Sequence, residues 1–216
     1  MKSNQNNFAF IDASNLFYGG AKSLGWKIDY DKLLTYLKQK YGVSRVYYFG
    51  GAETHGFVYD YLNHDSVPLS DLVAYLTELI KTKSIGWDDA SVILANRHLQ
   101  RARFFLKLEE FGYQLVIKPV KNYLQADGSW KRKANCDVDM AFYLMRERDI
   151  FRRAVVLSGD GDFLPVLKYL KNQSKEVIIL SRGPRTAKEI RQFCGSEFRD
   201  FCRLERLIKF SENKRK

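Results

Sequence analysis

Cysteine is scarce in this chain of 216 residues: there are three, Cys136, Cys194 and Cys202. So odd and sparse a set argues against a secreted disulfide scaffold and for a reducing compartment, the cytoplasm. A chain of this length buries roughly 70% of the surface its unfolded form exposes, so it needs no disulfide to fold. No apolar run approaches the roughly 18 residues of a membrane span, and no membrane partner is expected. The polar opening Met1–Asn7 is followed by only four apolar residues, Phe8–Ile11, so no secretory leader is expected either. There is no internal repeat and no low-complexity linker. Histidine is rare too, and His55, His64 and His98 all lie outside the motifs that follow.

Positive charge is what the chain has in excess. Lys and Arg number 36 against 25 Asp and Glu, a net +11, and 45% of residues are hydrophobic. That apolar content excludes a disordered chain. The charge favours a polyanion as partner: nucleic acid, acidic protein or anionic lipid.

Short, continuous apolar runs alternate with helical patterns. Phe8–Ile11, Val46–Phe49, Leu115–Ile117, Ala154–Leu157 and Val177–Leu180 read as strands, the third stopped by Pro119. Continuous rather than alternating runs suit strands buried on both faces of a parallel sheet. Helices are expected at Asp31–Tyr41 (with Leu33, Leu34 and Leu37 on one face and Gly42 as its stop), Arg97–Phe111, Cys136–Arg148 and Phe163–Asn172. The order predicts an α/β, doubly wound fold with a mainly parallel central sheet flanked by helices. One domain over residues 1–216 is expected, with a helical insertion at about 53–96 centred on a helix over Ser70–Lys81. Asn122–Lys133, with Asp127-Gly128 at its middle, reads as a hairpin or loop bearing Lys121, Lys131, Arg132 and Lys133 beside Tyr123 and Trp130. The tail Lys214–Lys216 is short and basic.

The aspartates are placed more tellingly than they are numbered. Asp12 follows the first strand, and Asp160 and Asp162 follow the fourth, in Leu157-Ser158-Gly159-Asp160-Gly161-Asp162-Phe163. In a parallel sheet these strand ends share one edge, where open α/β folds bind ligands. Asp137 opens a helix on the face of Met140, Ala141, Leu144 and Met145, a face that must pack on the sheet. Asp139 sits about 200° away, alongside Phe142 and Arg146, and is the weaker candidate. Carboxylates converging on one edge repel each other unless a divalent cation neutralises them. Aspartate oxygens with no matching His or Cys set suit Mg²⁺ or Mn²⁺ rather than zinc. A metal so held activates water and stabilises charge on a phosphodiester. Each acid taken alone also has a plain structural role, as a helix N-cap or a partner for the helix dipole. Asn15 either orients a water or phosphate or caps the following helix.

Ile11-Asp12-Ala13-Ser14-Asn15-Leu16, Cys136-Asp137-Val138-Asp139-Met140-Ala141 and Leu157-Ser158-Gly159-Asp160-Gly161-Asp162-Phe163 together resemble the NYN domain family, the LabA-like branch of the PIN-like nuclease superfamily. The likeness spans about Phe8 to Phe210 without the insertion. Ala134-Asn135-Cys136 stands where the family commonly has Lys-Gly-x before its Asp-Val. The resemblance implies a Mg²⁺-dependent ribonuclease fold. Asp12, Asp137, Asp160 and Asp162 would form the metal site and carry catalysis, with Asn15 and Ser158 as supporting polar groups.

On this reading the partner is RNA, single-stranded before duplex, and a homo-oligomer stays open. Arg182 and Arg185, following the last strand, are the first candidates to hold its backbone, then Lys131, Arg132 and Lys133. The alternative is an RNA-binding module with a degenerate or regulatory metal site and no cleavage. A haloacid-dehalogenase-like phosphatase fits poorly, because Ser14 stands where that chemistry needs a second Asp two residues after Asp12.

Overall fold

The computed structural model describes residues 6–15, 24–83 and 86–211, without the side chains of Trp130 and Lys131. The run Leu16–Gly20 and the basic tail lie outside the described residues. Six strands form one sheet in the order β3-β2-β1-β6-β7-β8. They are β1 (Asn6–Asp12), β2 (Val43–Ala52), β3 (Gln114–Pro119), β6 (Phe151–Leu157), β7 (Glu176–Ser181) and β8 (Phe198–Asp200). The pairings of β1 with β2 and β6, of β6 with β7 and of β7 with β8 are all parallel. A separate antiparallel hairpin joins β4 (Lys121–Leu124) to β5 (Trp130–Lys133). The chain divides into two compact units, one of residues 1–49 and 137–216, the other of residues 50–136.

In the first unit, β1 is buried from Phe8 to Asp12 because strands flank it on both sides and helices cover its faces. Phe8 and Phe10 share a face, as alternate residues must. They meet Phe151 at ring separations of 5.8 Å each, and Phe10 stacks on Tyr47 at 5.4 Å. Helix α4 (Asp137–Arg146) closes this face, its Tyr143 ring lying edge-on to Tyr47 and Phe49 at 5.2 and 5.4 Å. On the other face Tyr48 meets Tyr30 of α1 (Tyr30–Tyr41), 6.1 Å away. Asp29 caps α1 by accepting the Lys32 N–H at 3.1 Å, and Gly42 ends it in the left-handed region at φ 63°. Three further helices, α5 (Leu164–Asn172), α6 (Lys188–Cys194) and the single turn α7 (Glu205–Ile208), complete the unit.

The second unit holds α2 (Leu69–Lys83) and α3 (Asp89–Phe111), which pack on each other, together with β3 and the hairpin. Leu69, Leu72 and Leu76 of α2 and Ala95, Leu99, Ala102, Phe105 and Leu108 of α3 are the buried stripes. Asp88 caps α3 through the Ser91 N–H at 2.7 Å, so the helix starts eight residues before the expected Arg97. Val92, Ile93 and Leu94 run consecutively there and blur the helical period. The segment 53–96 is therefore continuous with a larger compact unit. Gly128, at φ 79°, and the Gln125–Ser129 backbone bond turn the hairpin at Asp127-Gly128. Two elements come from patterns with no apolar run, namely α6 and the three-residue edge strand β8. No helix among the described residues is long and apolar enough to cross a membrane.

Phe151 is 1% exposed and joins the Phe8 and Phe10 rings. Phe151→Ala should lower unfolding free energy by about 3–5 kcal/mol. Denaturant titration should show a lower midpoint at unchanged slope.

Candidate active site

Parallel register brings the C-terminal ends of β1, β6 and β7 to one edge of the first unit: Ile11 lies opposite Leu157, and Val156 opposite Ile179. Asp12 is the last residue of β1 and only 4% exposed. Its Oδ1 accepts the Ser14 N–H (2.9 Å), the Ser14 hydroxyl (2.6 Å) and the Asn15 N–H (3.2 Å). Asp12 is thus the N-cap of the helical turn over residues 13–15, and Asn15 is a residue being capped, not the cap. The second oxygen, Oδ2, accepts the Ser158 hydroxyl at 3.0 Å. Ser158 in turn accepts the Asp160 N–H at 3.3 Å. One hydroxyl therefore bridges the two strand ends.

Asp160 also serves a local role: its Oδ1 accepts the Asp162 N–H at 3.0 Å and caps the 3₁₀ turn Gly161–Phe163. Asp160 is half-buried and Asp162 exposed. The other Asp160 oxygen has no partner among the described residues. Two glycines let this loop lie close to its neighbours. A Cβ at Gly159 would stand 2.5 Å from Ser181 Oγ and 2.9 Å from Thr186 Cα, and one at Gly161 would strike Glu189 Oε1.

The turn after β7 is tied to this loop, since the Ala187 N–H donates to the Gly159 carbonyl at 2.9 Å. The Thr186 hydroxyl donates to the Arg182 carbonyl (2.7 Å), so the Ser181 hydroxyl must donate to Thr186 Oγ1 (3.0 Å). Arg182, half-buried, and Arg185, exposed, sit on this turn. Glu189, on the α6 turn that follows, is an acid that sequence reasoning missed. Its only signal was Gly161, whose missing side chain makes room for it.

Asp137 and Asp139 both lie in the first turn of α4, and both are half-exposed, so burial does not separate them. The buried stripe of α4 is Met140, Tyr143 and Leu144. Ala141 and Met145 lie partly outside it, because the Tyr143 ring fills the space over Tyr47 and Phe49. Among the described residues no three His, Cys, Asp or Glu side chains gather closely enough to hold an ion. The donor chemistry nevertheless fits a hard cation: carboxylates and a hydroxyl, with no imidazole or thiolate in the set. Mg²⁺ commonly takes one or two carboxylates and keeps several waters, so it needs no three-carboxylate cage.

The remaining candidates belong to the second unit. Lys131 lies on β5 with its side chain outside the described ones, and Lys133 is exposed on the same strand. Arg132 pairs with Glu53 at 2.8 Å.

The sheet is mainly parallel, flanked by helices and bears acids at its strand ends, an α/β fold. The NYN domain family matches residues 8–202, and the chain belongs to it. Low amplitude and bright protein LabA of Synechococcus elongatus is 22% identical over 184 residues, spanning 84% of this chain and 76% of LabA. The crystal structure of a protein of unknown function from Vibrio parahaemolyticus superposes with a TM-score of 0.55 at 19% identity, covering 92% of this chain and 94% of that one. A looser likeness, TM-score 0.44 at 13% identity, is to the T5 D15 protein co-crystallised with metal ions, over 87% of this chain and 59% of that one.

Gly159→Ala must displace the Thr186 backbone and strain the bond from Ala187. Overpacking of this kind costs about 1–3 kcal/mol. A thermal melt should show the loss, whereas Gly128→Ala would meet nothing within 4 Å and would suffer only from its positive φ.

Proposed function

We propose that this protein is a divalent-metal-dependent nuclease that hydrolyses phosphodiester bonds of RNA, single strands foremost, in a reducing cytoplasm. The observation that carries this reading is the Ser158 bridge, which ties the Asp12 carboxylate at the end of β1 to the backbone of Asp160 in the loop after β6. Membership of a PIN-like nuclease family supports it. One or two of Asp12, Asp137, Asp160 and Asp162 would hold Mg²⁺ or Mn²⁺ directly, and the others would meet its bound waters. The ion, when bound, supplies Lewis-acid polarisation of the phosphoryl group and an activated water.

The chain's own residues do the rest. Capping fixes Asp12 through Oδ1, and Ser158 orients its Oδ2. Asp160, whose second oxygen has no partner among the described residues, and the exposed Asp162 would offer carboxylate oxygens to the cation. Arg182 and Arg185 hold the flanking phosphates, on a turn bonded to the Asp160 loop through Ala187. Lys131, Arg132, Lys133 and Asn15 are further polar contacts for the strand in this scheme.

Asp160→Asn keeps the shape and the Oδ1 cap but removes the charge. Purified Asp160→Asn should cut single-stranded RNA orders of magnitude more slowly than wild type. Millimolar Mn²⁺ should raise the melting temperature of wild type more than that of the variant. Wild-type cleavage by Asp160→Asn overturns the assignment. Retention of RNA by the wild type, uncut with either metal, would establish binding without catalysis instead.

Replacing both Arg182 and Arg185 by Ala should weaken RNA binding and flatten its salt dependence by about two counterions. Anisotropy titrations at several salt concentrations measure both. An unchanged slope would mean that the phosphates run elsewhere.

A further inference from the structure

The two histidines that no motif absorbed meet in the second unit. His55 Nε2 and His98 Nδ1 are 2.6 Å apart, their rings 4.9 Å between centroids. They line a pocket of about 610 Å³, within the size range of small-ligand sites. The loop after β2 supplies Glu53, Thr54, His55 and Gly56, and α3 supplies Leu94 and His98, one turn apart. Val120, Asn122 and Arg132 come from the hairpin and the residue before it.

The loop is held in an uncommon shape. His55 adopts φ 50° and Gly56 φ 85°, both left-handed, and the Tyr75 hydroxyl donates to the His55 carbonyl at 2.9 Å. A non-glycine residue in that region is a signal of local constraint. Its effect here is to set one imidazole against the other.

Burial, then the His55 ring and the Arg132 and Arg101 charges, push the His98 imidazolium down to about 4. Burial also lowers His55, with Glu53 opposing and Arg132 adding to the shift. Both rings are then neutral at pH 7 and share one proton between the facing nitrogens. Whichever ring donates, one outer nitrogen carries hydrogen and the other is bare. The pair thus offers one donor and one acceptor, a match for the edge of a nucleobase. Arg132, ion-paired to Glu53 at 2.8 Å, keeps further guanidinium N–H donors for an anion. The Glu53 carboxylate is an acceptor for sugar hydroxyls, and Leu94 and Val120 are apolar wall for a flat ring.

We propose that this pocket is a nucleotide site, taking a nucleoside monophosphate or the phosphate-bearing end of a strand. Its phosphate would lie on Arg132, and its base on the histidine pair and Asn122. The pocket is larger than a bare phosphate needs, and its lining carries both polar groups and apolar wall. The proposal does not depend on the metal-site reading, because its test runs in EDTA.

The test is calorimetric titration of the full chain, metal-free, with adenosine 5′-monophosphate, adenosine and inorganic phosphate. The monophosphate should bind at least about tenfold more tightly than either fragment, one charge-assisted contact being worth that much. Arg132→Gln and His98→Ala should each weaken it about tenfold or more. Proton uptake on binding, from two buffers of different ionisation enthalpy, should be larger in wild type than in His98→Ala, because the phosphate charge pulls a proton onto the imidazoles. Cooperative melting verifies each variant, and His98→Gln replaces His98→Ala if the latter does not fold. Equal affinity for monophosphate and adenosine, wild-type affinity in either variant, or no binding at millimolar monophosphate overturns the proposal.

Discussion

A single hydroxyl ties the acidic edge of the first unit together. Ser158 donates to Asp12 and accepts from the Asp160 backbone, so the ends of β1 and β6 cannot slip past each other without breaking the Asp12 bond, and the loop that carries Asp160 folds on the same hydroxyl. The parallel register behind it makes this possible, since only parallel neighbours deliver their C-terminal ends to one side. Burial adds weight. With Asp12 4% exposed, a lost partner would leave a carboxylate oxygen short of a donor in a dry environment, which is costly. The glycine at 159 and the hydroxyl chain from Ser181 through Thr186 to Arg182 extend the same tie to β7.

Charge elsewhere in the first unit follows the same rule of satisfied burial. Glu147, 6% exposed, is held by Arg45 at 3.3 Å and Arg146 at 3.0 Å. Arg146 lies 3.8 Å over the Tyr143 ring and Arg45 5.0 Å over Phe8. Two guanidiniums thus neutralise one buried acid while covering the aromatic face of the sheet. Part of the chain's positive excess is therefore engaged in the fold, and the net +11 overstates what is available to a polyanion.

The fold class was legible because strands buried on both faces must be apolar throughout, and Phe8–Ile11, Ala154–Leu157 and Val177–Leu180 are. The helix stops at Gly42 and Gly112 were equally open to reading, one expected and one found, both in left-handed geometry. The edge strand β8 was not legible: its pairing to β7 is made by backbone atoms, which Phe198-Arg199-Asp200 does not advertise. Within the candidate site, the apolar runs implied that Asp12 and Asp160 lie where β1 and β6 end, as they do, whereas the sequence left capping as one alternative among others for each. In the structure Asp12 caps through Oδ1 and accepts the Ser158 hydroxyl through Oδ2. Glu189 and the His55–His98 pair were illegible for a common reason. Each is a contact between residues distant in the chain, and no local period encodes it.

Capping by Asp12 makes its carboxylate the hinge pin of the turn that follows. Three donors from residues 14 and 15 grip Oδ1, while Oδ2 faces Ser158 across the strand boundary. The turn over residues 13–15 and the Ser158–Asp160 loop are therefore anchored on one carboxylate, each by its own oxygen, so replacing Asp12 removes the anchor of both at once.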